Sequence, residues 1–194
     1  MKVESTQVTK LLISDLMGEP HKLDPVSVII EDHEPGRGRI IIECYGKSWS
    51  CYWGAMSGRP LAEFFCNCSA DYLIGSLAGT LQAKRFSPAA LKVMAKKSII
   101  DRRRCSPGYW EYGDMLDKDD AAALWRAVDE EIDLIDSDSA CWRHTELLTK
   151  LFGEEWWHRA TEALQANPDY LYLQRIVVAV QQALGEPNES AEAA

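Results

Sequence analysis

Six cysteines and four histidines are the side chains of this chain best suited to chemistry, and their spacing limits what they can do. Cys66 and Cys68 follow Cys44 and Cys51, with His33 upstream. Zinc pairs usually leave roughly two to four residues between ligands, whereas one intervening residue on a helix turns the two sulfurs about 200° apart. No metal ligand set is read here. A nucleophilic site needs a cysteine or serine beside a base, and the chain has neither Gly-x-Ser-x-Gly nor a cysteine signature with a downstream histidine. A pairing of Cys66 with His33 therefore has nothing local behind it. His144 and His158 fall on expected helices and read as surface or interface residues. Gly36-Arg37-Gly38 is a hairpin turn without the Gly-Lys of a phosphate loop, so Arg37 and Arg39 read as solubilising its tip. The pairs Glu31–Asp32, Asp119–Asp120 and Glu130–Glu131 would serve metal-dependent hydrolysis only if His or Lys converged on them. Neighbours on an exposed helix diverge instead. The reading is of a binding protein rather than an enzyme, with no cofactor and no catalytic residue.

The elements that must position any site start with two β-branched runs, Val26 to Glu31 and Arg39 to Tyr45, around a Pro-Gly-x-Gly turn. A third, aromatic-rich run follows Gly46. Together they predict an antiparallel meander in which Trp49, Cys51 and Trp53 share one face, Ser50 and Tyr52 the other. Val8 to Leu16 reads as a further strand. Helices are expected over Leu61 to Cys68, over Tyr72 to Leu77 capped by Ser69, and from Ser87-Pro88 towards Arg103. Cys105 to Asp114, with Pro, two Gly and three aromatics, marks a loop. Further helices are expected over Asp117 to Ile135, Ser137 to Phe152, Glu154 to Gln165, and from Pro168 to Gly185. The fold class is α+β: an N-terminal meander covered by helices over residues 1–104, an acidic helical region over 105–186, and a disordered tail over 187–194. One integrated domain is the other reading. No apolar run approaches the roughly 18–20 residues of a membrane span, and Leu11 to Ile13 is too short for a signal-peptide core. A cytoplasmic location and reduced thiols are the expectation.

Charge is uneven along this net −9 chain. Residues 1–83 hold seven basic and ten acidic side chains, residues 84–104 eight basic and one acidic, and residues 105–194 six basic and nineteen acidic. Such a reversal means either an internal electrostatic contact or two faces open to partners. Eleven carboxylates lie between Glu111 and Asp138. Regularly spaced carboxylates can imitate nucleic-acid phosphates and fill a basic groove. The candidate partner-binding residues are Asp117, Asp119, Asp120, Asp129, Glu130, Asp133 and Asp136, with Trp110 and Tyr112 as apolar anchors. The alternative is nucleic-acid binding or processing through Lys92, Lys96, Lys97, Arg102, Arg103 and Arg104.

The runs Leu23-Asp-Pro-Val26, Gly46-Lys-Ser-Trp49, Tyr52-Trp-Gly54, Ala62-Glu-Phe-Phe-Cys66, Asp71-Tyr-Leu-Ile-Gly75 and Asp169-Tyr-Leu-Tyr-Leu173 carry a resemblance. The chain resembles short accessory proteins of tailed bacteriophages and prophages over residues 8–80 and 168–180, and departs from them over 81–165. That group offers no assigned catalytic residues to carry over. The resemblance implies a phage product acting in the cytoplasm of the bacterial host. Such a protein would bind and inhibit or redirect a host complex, a defence system such as CRISPR among the candidates. Nucleic acid and a second copy of the chain remain alternative partners; a membrane does not.

Overall fold

The β-branched runs pair into an antiparallel sheet in the computed structural model, which describes residues 1–3, 7–17, 21–104 and 115–185. Its strands β1 (Thr9–Ile13), β2 (Val26–Glu34), β3 (Arg37–Cys44) and β4 (Lys47–Trp53) follow one another in space as in sequence. The turns explain the register. Gly36 takes φ +80°, suiting the Pro-Gly turn between β2 and β3. Tyr45 and Gly46 both have positive φ, as a two-residue type I′ hairpin requires. Opposite pairs Val28–Ile42 and Ile30–Ile40 then bring buried residues together on one face.

Helices α1 (Leu61–Asn67), α2 (Ala70–Leu77) and α7 (Pro168–Gly185) cover that face. Asp32 on β2 accepts the Leu61 N–H at 2.8 Å, filling the role that Pro60 at the N-cap cannot. Ser69 caps α2 by accepting from the Tyr72 N–H. Gln181 of α7 donates to the carbonyls of Phe65 and Cys68 at 3.1 and 2.8 Å, anchoring α7 to the end of α1. Tyr170, Leu173, Ile176, Val177 and Val180 bury in the same core as the sheet. As the strand alternation predicts, Trp53 is buried and Trp49 and Cys51 are half-buried, while Ser50 and Tyr52 are exposed.

The chain divides into two compact units, Met1–Gln82 with Pro168–Ala194, and Ala83–Asn167. The sequence boundary at 104/105 falls inside the second unit. The reason lies in the apolar faces: α3 (Pro88–Arg103) buries Leu91, Ala95 and Ile99 with Val128 of α4 (Lys118–Glu131), while α7 packs with the sheet. The second unit also holds α5 (Thr145–Phe152), α6 (Trp156–Ala160) and the short strands β5 (Lys84–Phe86) and β6 (Leu164–Ala166), which pair antiparallel. Three expected helices are shorter than the periodicity suggests. The helix expected to Ile135 tightens to a 3-10 turn after Glu131, and 139–144 is 3-10 before α5 begins. The helix expected over 154–165 stops at Ala160, because Leu164–Ala166 pairs with β5 instead. Gly153 ends α5 at φ +87°. The tail expected to be disordered lies outside the described residues.

Candidate interaction surface

The basic and acidic segments of the second unit meet along α3 and α4. Ser87 accepts the Ala90 N–H at 3.2 Å and Pro88 occupies the first turn, which starts α3 with its apolar stripe inward. Lys92 and Lys96, each one position after a buried stripe residue, lie four apart on the same flank. Asp117 starts α4, its Oδ1 accepting the N–H groups of Asp119 and Asp120 at 2.8 Å each. From that start, Asp129 and Asp133 line up four residues apart opposite the lysines.

Lys92 Nζ lies 2.7 Å from Asp133 and 3.3 Å from Asp129; Lys96 Nζ lies 2.7 Å from Asp129 and 4.7 Å from the centre of the Trp125 ring. The Lys96 ammonium beside Asp129, reinforced by Lys92, holds its carboxyl below the usual value of 3.8. Lys92 is raised above 10.5, chiefly by the hydrogen bond to Asp133. A lowered carboxylate value stabilises the fold above about pH 3.8 and is lost as pH falls through the lower folded value. A raised lysine value stabilises below about pH 10.5 and is lost as pH rises through the higher folded value. The expected result is a plateau of thermal stability between those limits. Circular dichroism melts across acid pH should show the acid-side loss diminished in Asp129→Asn; an unchanged acid limb would show that this clamp contributes nothing. The pairs are partly exposed, so the effect is modest.

The remaining sequence-selected residues have separate fates. Asp119, Asp120, Glu130 and Asp136 are exposed, and no ion pair engages them among the described residues. Asp117 is spent on its cap. Arg102 donates to the Lys150 carbonyl at 2.6 Å, while Lys97, Arg103 and Arg104 are exposed. Trp110 and Tyr112 lie outside the described residues.

On the far side of α4 runs an open groove of about 1240 Å³. Leu116, Leu124, Leu147 and Phe152 line it with carboxylates from α4, α5 and the turn after Gly153. Nearby, exposed Trp142 packs its ring 4.8 Å from buried Trp156 and stacks near Trp157. Neither groove nor tryptophan cluster was legible from spacing, because helical periodicity assigns all these residues to packing.

The thiols hold local partners. Cys66 Sγ faces the Gln181 carbonyl, and burial pushes the thiols of Cys51, Cys66, Cys68 and Cys141 up, away from the reactive thiolate. Tyr172 is pushed up to about 12 by burial and by its hydrogen bond to Cys44. His33 lies beside Glu31 and Tyr52, and His144 beside Glu131 at 3.3 Å. Arg37 and Arg39 pair with Glu34 and Glu31 at the hairpin tip. Among the described residues no group of three or more His, Cys, Asp or Glu could hold a metal ion, and no described helix is long and apolar enough to cross a membrane.

The fold and this surface define a small α+β protein with a sheet unit and an inserted, strongly charged helical unit. A family model described as a phage family, Phage_phiTE_072, matches residues 1–186, and the chain belongs to that family. The match takes in residues 81–165, which the resemblance of the sequence runs left out. No curated protein and no solved structure matches the chain.

Proposed function

We propose that this phage protein is a non-enzymatic binder of a bacterial host protein complex, engaging a basic surface through carboxylates of its helical unit. The observation that carries the reading is the division of labour on α4 and the turns after it. Asp129 and Asp133 are matched by Lys92 and Lys96, whereas Asp119, Asp120, Glu130 and Asp136 remain exposed without an ion pair. A lysine- or arginine-lined groove that normally holds nucleic acid is the complementary target, and a defence complex such as CRISPR is one host assembly of that kind. Occlusion of that groove is the mechanism.

Affinity capture of the tagged protein from host lysate, with and without nuclease, tests this. The expected result is a stoichiometric protein partner that survives nuclease. The triple variant Asp119→Asn, Glu130→Gln, Asp136→Asn should bind it about tenfold more weakly and with a shallower salt dependence. Unchanged affinity and salt dependence would eliminate the reading. Direct nucleic-acid binding keeps one observation in its favour, the exposed Lys97, Arg103 and Arg104. Lys92, Lys96 and Arg102 are already engaged within the unit. A steep salt-dependent affinity for DNA or RNA would support that second reading.

A further inference from the structure

We infer that the groove beside α4 is a docking site for a basic amphipathic helix of the protein partner, an inference that rests on the binding reading above and names where and how the partner seats. At about 1240 Å³ the groove is larger than the usual small-molecule pocket of roughly 300–1,000 Å³, and it is open to solvent. Its floor is apolar, with Leu116, Leu124, Leu147 and Phe152, and Ala123 and Ala127 of α4 leave room for a second backbone to come close. This is the shape that receives one face of a helix.

Charge selects the occupant. The lining holds five carboxylates, Asp120, Glu131, Glu146, Glu154 and Glu155, against only Arg102 and Lys150. Two of the five are spent inside the unit: Glu131 on His144 at 3.3 Å and Glu146 on Lys150 at 2.6 Å. Arg102 in turn donates to the Lys150 carbonyl. Asp120 on the α4 side, and Glu154 and Glu155 on the turn after α5, have no ion pair among the described residues. An apolar floor between two unmatched acidic walls fits a helix with a leucine-like stripe flanked by lysine or arginine. An acidic segment would meet repulsion from these carboxylates, and a uniformly polar one would leave the floor wet.

The probe is a labelled synthetic peptide of leucine and lysine, about 14 residues and so about 21 Å long as a helix. Its control is a scrambled isomer with the same composition but no apolar stripe, and fluorescence anisotropy reads both against the full chain. The expected result is binding of the striped peptide about tenfold tighter than the isomer, lost about tenfold in Ala123→Trp, which fills the groove from an exposed helix position. Glu154→Gln with Glu155→Gln should weaken it several-fold and flatten its salt dependence, and serves if Ala123→Trp does not fold. Equal binding of the two peptides, or binding of the striped peptide unaffected in a folded Ala123→Trp protein, overturns the inference. The host-capture triple variant leaves all five groove carboxylates intact. Loss of host binding there with striped-peptide binding retained upholds both readings, whereas host capture without striped-peptide binding removes the groove alone.

Discussion

Gly36→Ala destabilises the sheet unit by about 2–4 kcal/mol, while Gly46→Ala costs about 1. Both glycines sit at positive φ in hairpin turns, at +80° and +73°, so both substitutions pay the left-handed strain of an L residue. Only Gly36 adds a collision. A Cβ there would lie 2.7 Å from the backbone nitrogen of Gly58, whereas one at Gly46 meets nothing within 4 Å. Backbone cannot swing aside as a side chain would, and the Met56 N–H to Gly36 carbonyl bond of 2.8 Å holds the two segments together. Relief must therefore come from shifting the hairpin against the loop ahead of α1. Urea unfolding midpoints of the two variants beside the parent check this; equal losses would mean that the close approach of the two loops carries no weight.

The second large effect is expected from Trp156→Ala, about 3–5 kcal/mol. Trp156 is 2% exposed and sits in the helical core with Leu148, Leu151 and Cys141. Trp142, 61% exposed, rests its ring against it. Deleting the indole empties space in the helical core and removes the ring that Trp142 rests against. Trp142→Ala, which empties no core space, should cost less than about 1.5 kcal/mol. Thermal melts followed by near-ultraviolet circular dichroism separate the two, since both the midpoint and the aromatic signal should fall further in Trp156→Ala. Similar losses for both would mean that the tryptophans act as one exposed cluster.

The legible parts of this fold are those where a local pattern has only one good solution. Alternation in Val26, Val28 and Ile30 points one face inward, and Ser87-Pro88 and Ser69 start their helices as their chemistry demands. What was not legible depends on sequence-distant partners. Leu164–Ala166 continues a helical pattern, and only its pairing with Lys84–Phe86, some eighty residues earlier, makes it a strand. Lys92 and Asp129 likewise read as two separate charged faces until α3 and α4 pack together. Sequence reasoning allowed an internal contact between the basic and acidic segments, yet could not say which carboxylates it would consume. The candidate surface is for that reason smaller than the charge count suggested, and the groove behind it was hidden because Leu124, Leu147 and Phe152 look like any core residues.

The pairing of β5 with β6, with the Asn167 N–H bonded to the Ala83 carbonyl at 2.9 Å, bears on how the second unit can interrupt the first. Residues 83–167 interrupt the sheet unit between α2 and α7. As a loose tether, that stretch would tax every approach of α7 to the sheet with the entropy of closing a very long loop. Clasped at its base, it delivers both ends of the interrupted chain to one spot, and the span left to close shrinks to a few residues. With closure cost rising as the logarithm of length, the difference is on the order of 2–3 kcal/mol. The small ribbon thus acts as a clasp, so that the inserted residues need not add the closure cost of their full length to the folding of the sheet unit.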